Sequence, residues 1–236
     1  GTVSTITLPV PSGATVAPQT SFIYTNFAIG TESVSLLTGS TSRIDSATNT
    51  VSKTYTYDGA NAFALKMVTL DPGGLALTTT YVADARGNVI SVKGPRTDVN
   101  DTVVTAFDAA RNPTQVTYPN PGSGSPVTQY AYDDNGRLVS TAAKIGSNWS
   151  VSCRTYTNSG QVATAFGPFQ QASATSCGFS SNAAVPLVQN QYDGADRLVR
   201  TSAVNTTETR TTRLDLLPDN LVGVVTRAEG TPVAQA

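Results

Sequence analysis

Apolar and polar side chains alternate along most of the 236-residue chain in short runs, and the runs are separated by clusters of Gly, Asn, Asp and Pro. One run is Val127-Thr128-Gln129-Tyr130-Ala131-Tyr132, and after a polar turn the chain continues as Arg137-Leu138-Val139-Ser140-Thr141-Ala142. A period of two residues belongs to a strand with one covered face, and two such runs across a short turn predict a β-hairpin. An Asp at the turn entrance can accept hydrogen bonds from N–H groups two residues on. A Gly three residues after it supplies the positive φ that a short loop with a bulge requires. Tyr and Leu flank the turn on what should be one face, so their side chains are expected to stack from hairpin to hairpin.

The unit recurs. Five segments align: Tyr57-Asp58-Gly59; Ala83-Asp84-Ala85-Arg86-Gly87-Asn88; Phe107-Asp108-Ala109-Ala110-Arg111-Asn112; Tyr132-Asp133-Asp134-Asn135-Gly136-Arg137-Leu138; and Tyr192-Asp193-Gly194-Ala195-Asp196-Arg197-Leu198. Two weaker copies are Tyr156-Thr157-Asn158-Ser159-Gly160 and Leu214-Asp215-Leu216-Leu217, and Tyr24-Thr25-Asn26 is a possible eighth. Counted at the Asp position, the steps are 26, 24, 25, 24, 36 and 22 residues. The long step marks an insertion near 165–188, where Gly167, Pro168, Gly178 and a Ser-rich stretch lie. An isolated hairpin is marginal in water, so each unit must lean on its neighbours.

These features predict an all-β array of antiparallel hairpins forming a continuous twisted or spiralling sheet. Residues 1–50 are read as a β-rich N-terminal segment with degenerate hairpins, and residues 51–236 as the repeat array. Thr231-Pro232-Val233-Ala234-Gln235-Ala236 reads as the leading strand of a further unit, which suggests that the array is part of a longer chain.

Composition agrees with strands and turns: charged residues are 13% of the chain, against the typical ~25%. The formal net charge of -1 and the scattered Lys and Arg residues argue against a nucleic-acid partner. No apolar stretch approaches the ~20 residues that a membrane-spanning helix needs. The chain has no histidine, which removes the commonest general base and metal ligand. Asp133 and Asp134 could form a glycosidase-like carboxylate pair, but turn Asp residues are already explained by backbone hydrogen bonding. The turns offer too few oxygens at fixed spacing for a calcium loop. No cofactor or metal site is therefore expected. Cys153 and Cys177 are read as a disulfide closing the inserted loop, which implies an oxidising compartment, with free thiols as the alternative. Asn100, Asn148 and Asn205 begin glycosylation sequons that matter only in a eukaryotic source.

The Y-D-x-x-G-R-L signature, clearest from Tyr132 to Leu138, resembles the YD repeats of Rhs proteins, of insecticidal toxin-complex shell subunits and of teneurins. The resemblance covers roughly residues 55–225. It implies a long β-sheet that spirals into a hollow shell, housing a toxic domain or acting at a cell surface. Thr157 stands where Asp is expected, and Leu214 where Tyr is expected. Seven hairpins are too few to close such a shell. Asp71-Pro72-Gly73-Gly74 sits in a linker, so self-cleavage is not expected. The expected role is structural and non-enzymatic: a segment of a bacterial, secreted or surface-exposed shell or fibre. Its partners would be the rest of the parent polypeptide or identical copies through open strand edges, with a toxin domain as possible cargo. The alternative is an adhesin-like module for a glycan or cell-surface partner. Exposure of Trp149, Phe166, Phe169 and Phe179 would favour that alternative, and burial would favour scaffolding.

Overall fold

The computed structural model describes all residues except 1, 44–48, 61, 123, 175–176, 178–184, 186, 206–208, 219–220 and 229–236. The described residues form seventeen strands and no helix. They fall into two compact units, residues 1–105 with 118–125, and residues 106–117 with 126–236.

The first unit is a meander of β1 (Thr5–Thr7), β2 (Gln19–Ile29), β3 (Glu32–Arg43), β4 (Thr50–Asp58), β5 (Ala64–Leu70), β6 (Leu77–Ala83), β7 (Val89–Lys93) and the start of β8 (Thr102–Phe107). Each strand pairs antiparallel with the next. The second unit repeats the plan with β9 (Pro113–Thr117), β10 (Val127–Tyr132), β11 (Leu138–Ile145), β12 (Asn148–Tyr156), β13 (Val162–Gln171), β14 (Leu187–Tyr192), β15 (Leu198–Val204), β16 (Thr209–Leu216) and β17 (Val222–Arg227). All of its pairings are again antiparallel between sequence neighbours.

A β-bulge marks the repeat. The ladder shifts register at Thr56/Tyr57, Val82/Ala83, Ala131/Tyr132, Thr155/Tyr156 and Gln191/Tyr192. In the Tyr132 hairpin, Ala131 faces Ser140 and Tyr132 faces Leu138, so Val139 is the extra residue. A bulge bends and twists its strand; here it brings the tyrosine opposite the Leu that follows the turn. The same shift occurs at Ile23/Tyr24, where Tyr24 faces Leu37. The Tyr24 copy is therefore a repeat hairpin lengthened by five further cross-strand pairs, and Tyr24-Thr25-Asn26 lies within β2 with its tip at Gly30.

Within the long step, Gly167 and Pro168 belong to β13, where they bulge opposite Ser152. The extra length is in residues 172–186, most of which, including Gly178 and Phe179, lie outside the described set, as does the 231–236 segment.

Few apolar side chains among the described residues are fully buried. Among the described residues the buried hydrophobic side chains are Ala142, Val151, Cys153 and Phe166. Trp149, Phe169, Ala174 and Cys177 pack against the Ala142–Val151–Cys153 cluster. With so small a core, the ladders and the contacts at the turns carry much of the cohesion.

Candidate functional site

At four of the short turns the carboxylate at the entrance organises the loop. Asp133 Oδ1 accepts from the backbone N–H of Asn135 at 3.0 Å and of Arg137 at 2.9 Å, and Oδ2 accepts from Arg137 Nε at 2.7 Å. Its carbonyl accepts from Gly136 N–H, and its own N–H donates to the Arg137 carbonyl. Asp193 repeats this set with Ala195 and Arg197. At Asp84 and Asp108 the side chain four residues on is an Asn, and Asn88 and Asn112 take the place of Arg. Hydrogen bonding to the charged form holds all four carboxyls below the usual carboxylate value. The leading cause is the Asn88 amide for Asp84, the Asn112 N–H for Asp108, the Arg137 N–H for Asp133 and the Arg197 guanidinium for Asp193. At Thr157 the hydroxyl substitutes for the carboxylate and accepts from Gln161 N–H at 3.1 Å.

Positive φ three residues after the entrance is met by Gly87, Gly136 and Gly160, and by the non-glycines Arg111 (φ 70) and Asp196 (φ 59). Asp residues tolerate this left-handed region better than most, whereas Arg does not. The Asp58 turn differs: Asp58 Oδ1 accepts from Ala60 N–H, but the loop closes five residues on, through Phe63 N–H to the Asp58 carbonyl. Positive φ there falls on Ala62 and Phe63.

Between hairpins the link is the tyrosine hydroxyl. Tyr132 donates to the Pro113 carbonyl at 3.0 Å, Tyr156 to Leu138 at 2.7 Å and Tyr192 to Val162 at 2.9 Å. Each acceptor stands five residues after the turn entrance of the preceding hairpin. Tyr57 donates to Leu37 at 2.7 Å, and Leu37 is the residue across the bulge from Tyr24. Among the described residues the ring pairs are Phe27–Tyr57, Phe27–Phe63 and Phe166–Phe169, so no repeat tyrosine is ring-paired with another. The phenol instead needs a partner for its O–H, and the bulge presents a carbonyl within reach. Burial pushes the Tyr57 and Tyr132 phenols above their ordinary pKa. Phe107 and Ala83 occupy the tyrosine position without a hydroxyl.

The turns are also tied sideways. Arg137 Nη1 donates to the Thr157 carbonyl at 3.0 Å while its guanidinium lies 4.7 Å from the Tyr156 ring centre. Ser159 Oγ bonds Asp196 Oδ1 at 2.6 Å, and Asn190 Nδ2 donates to the Val162 carbonyl. Arg137, read from sequence as a turn residue, thus binds two turns at once.

Asp215 requires correction. It lies inside β16, facing Val224 and paired with Arg213 at 2.9 Å. The turn entrance is Leu217, whose N–H donates to the Leu221 carbonyl as Asp133 N–H donates to Arg137. The bulge at Asp215/Leu216 puts Leu216 in the tyrosine position. The step from Asp193 is then 24 residues, so the period itself carried the missed signal.

Cys153 and Cys177 are joined in a disulfide, with Cys153 2% exposed against Val151 and Ala142. Phe166 is buried, and Trp149 and Phe169 are half-buried on the same cluster. Asp133, considered as one half of a carboxylate pair with Asp134, is ion-paired with Arg137.

Interlocked turns of this kind define an antiparallel hairpin-repeat array. A structure of the Photorhabdus luminescens Tc holotoxin pore matches 96% of this chain with a TM-score of 0.62 and 15% sequence identity. A structure of TcdB2–TccC3 also matches over 96% of this chain, at 15% identity and a TM-score of 0.40, too distant to add weight. The chain spans about a tenth of the length of each matched chain, 11% and 12% respectively. At this identity the likeness is one of fold: the chain has the hairpin-repeat fold of the toxin chain, as its Rhs-like signature implied. No protein-family model and no curated protein sequence matches it.

Proposed function

We propose that this chain is a non-enzymatic structural element, a segment of wall in a secreted or surface-exposed Rhs-type shell or fibre. The observation that carries the proposal is the series of tyrosine hydroxyls, each fixing one hairpin to the one before it. Such links hold a sheet together along its length without requiring a thick core. The repeat residues with chemical potential are used in these links, and the turn carboxylates are engaged by their own loops. The fold shared with a Tc toxin chain supports the shell form, and the Cys153–Cys177 disulfide supports an oxidising destination.

Packing of Trp149 and Phe169 onto the disulfide-bonded cluster, with the buried Phe166 against Phe169, favours a scaffold over an adhesin-like glycan platform. Under the wall reading, the partners are the remainder of a parent polypeptide or further copies, and a toxin domain is the candidate cargo. Electron microscopy of the native polypeptide carrying this segment tests the proposal. A curved β-wall around a lumen, or a fibre, is expected; a solid globular particle with the repeat surface engaged on a glycan would overturn it.

A further inference from the structure

The hairpin of β2 and β3 outruns its neighbours. Among the described residues β1 pairs with β2 only at 19–21, and β4 pairs with β3 only at 39–43. Beyond the bulge at Ile23/Tyr24, residues 24–37 therefore form a two-stranded arm whose strands pair only with each other. Its faces differ. Phe27 pairs with Val34, and Ile29 and Leu36 lie two residues along on the same side, whereas Asn26, Ala28, Ser33 and Ser35 occupy the other. Phe27, Val34 and Leu36 are half-buried, and the four residues of the opposite face are exposed. A two-stranded hairpin is marginal in water on its own, so the arm depends on what covers its apolar face.

The cover is the turn that follows Asp58. The Phe63 ring centre stands 5.4 Å from that of Phe27, and Tyr57 meets Phe27 edge-on at 6.0 Å. Tyr57 also donates to the Leu37 carbonyl at the base of the arm. The loop that delivers Phe63 closes through its N–H on the Asp58 carbonyl at 2.9 Å, and it holds Ala62 (φ 48) and Phe63 (φ 57) in the left-handed region. An aromatic residue with positive φ is an outlier, and such a backbone persists where its surroundings over-determine it. Here the ring contact with Phe27 gives the turn a reason to differ from those that carry Gly87, Gly136 and Gly160.

We propose that the β2–β3 arm is a strap, closed by an aromatic latch of Phe27 on Phe63 and Tyr57 and hinged at Ile23 and Gly39, where the wider ladder ends. Released, it bares the face of Phe27, Ile29, Val34 and Leu36 and leaves the sheet at its base intact. The device does not depend on the wall role of the chain. Native-state hydrogen exchange on the full chain tests it, with Phe63→Gly as the decisive variant. Phe63 lies outside the arm, and glycine accepts the positive φ, so this change removes the ring without straining the turn. Arm amides between residues 25 and 36 should exchange at least about tenfold faster, while those of β6 and β7 change less than about twofold. Phe27→Ala, which breaks the latch from the other side, should quicken the same arm amides and spare the same strands. Arm exchange unmoved by Phe63→Gly would overturn the latch, whatever Phe27→Ala does. Quickening in β6 and β7 as large as in the arm would overturn the strap, because arm and sheet would then open as one body.

Discussion

Single atoms decide whether a bulge or a turn can form. Gly167 shows this most sharply: it has φ 108, and a Cβ there would stand 2.4 Å from the Val151 carbonyl oxygen and 2.8 Å from Ser152 Cα. Both obstacles are backbone, so the bulge cannot yield cheaply. Gly167→Ala is expected to lower stability by about 2–3 kcal/mol in chemical denaturation. The turn carboxylates set the response to acid. Their folded pKa values lie below the ordinary 3.8, so the stability they contribute is complete above that value and is lost as pH falls through the folded values. The melting temperature should thus hold between pH 7 and about pH 5 and fall below about pH 4. In Asp133→Asn, which keeps the shape without the charge, the acid-dependent part of that fall should shrink. The Asp role was legible from sequence because its i+2 acceptor pattern is local. The second N–H four residues on, and the Arg or Asn side chain reaching back, depended on the loop closing first.

The hairpin is the element that sequence described best, because alternation and turn chemistry both act over a few residues. Its register was less accessible. The bulge before each tyrosine shifts the ladder by one residue, and nothing in an alternating pattern reports which residue is the extra one. Hence the hydroxyl-to-carbonyl link between hairpins went unseen, and Asp215 was aligned two residues early. The corrected turn offers a test. Leu217 is 46% exposed, so Leu217→Asp gives up little burial while supplying the carboxylate that other turns possess. It should stabilise the chain by about 0.5–1 kcal/mol in urea unfolding, and a loss would show that this hairpin closes by other means. The disulfide acts on the longest connection. Cysteines 24 residues apart constrain the unfolded chain, so reduction, or the double change Cys153→Ser and Cys177→Ser, should cost about 3 kcal/mol. Circular dichroism melts with and without reductant measure that difference.

Across the second unit, the links form a relay: Asp133 and Arg137 hold one turn, Arg137 reaches the next at Thr157, and Ser159 reaches Asp196. Tyr132, Tyr156 and Tyr192 run in parallel with it along the strands. Hairpins tied in this way should open together rather than singly. Native-state hydrogen exchange on the full chain, comparing the unaltered protein with Tyr156→Phe, examines this directly. Removing one hydroxyl should cost about 1 kcal/mol, and the lost protection should extend from β12 into β10, β11 and β13, which carry no altered residue. If exchange instead quickens only in the amides next to Tyr156, with the neighbouring hairpins protected as before, the hairpins stand independently and the interlocked wall is contradicted.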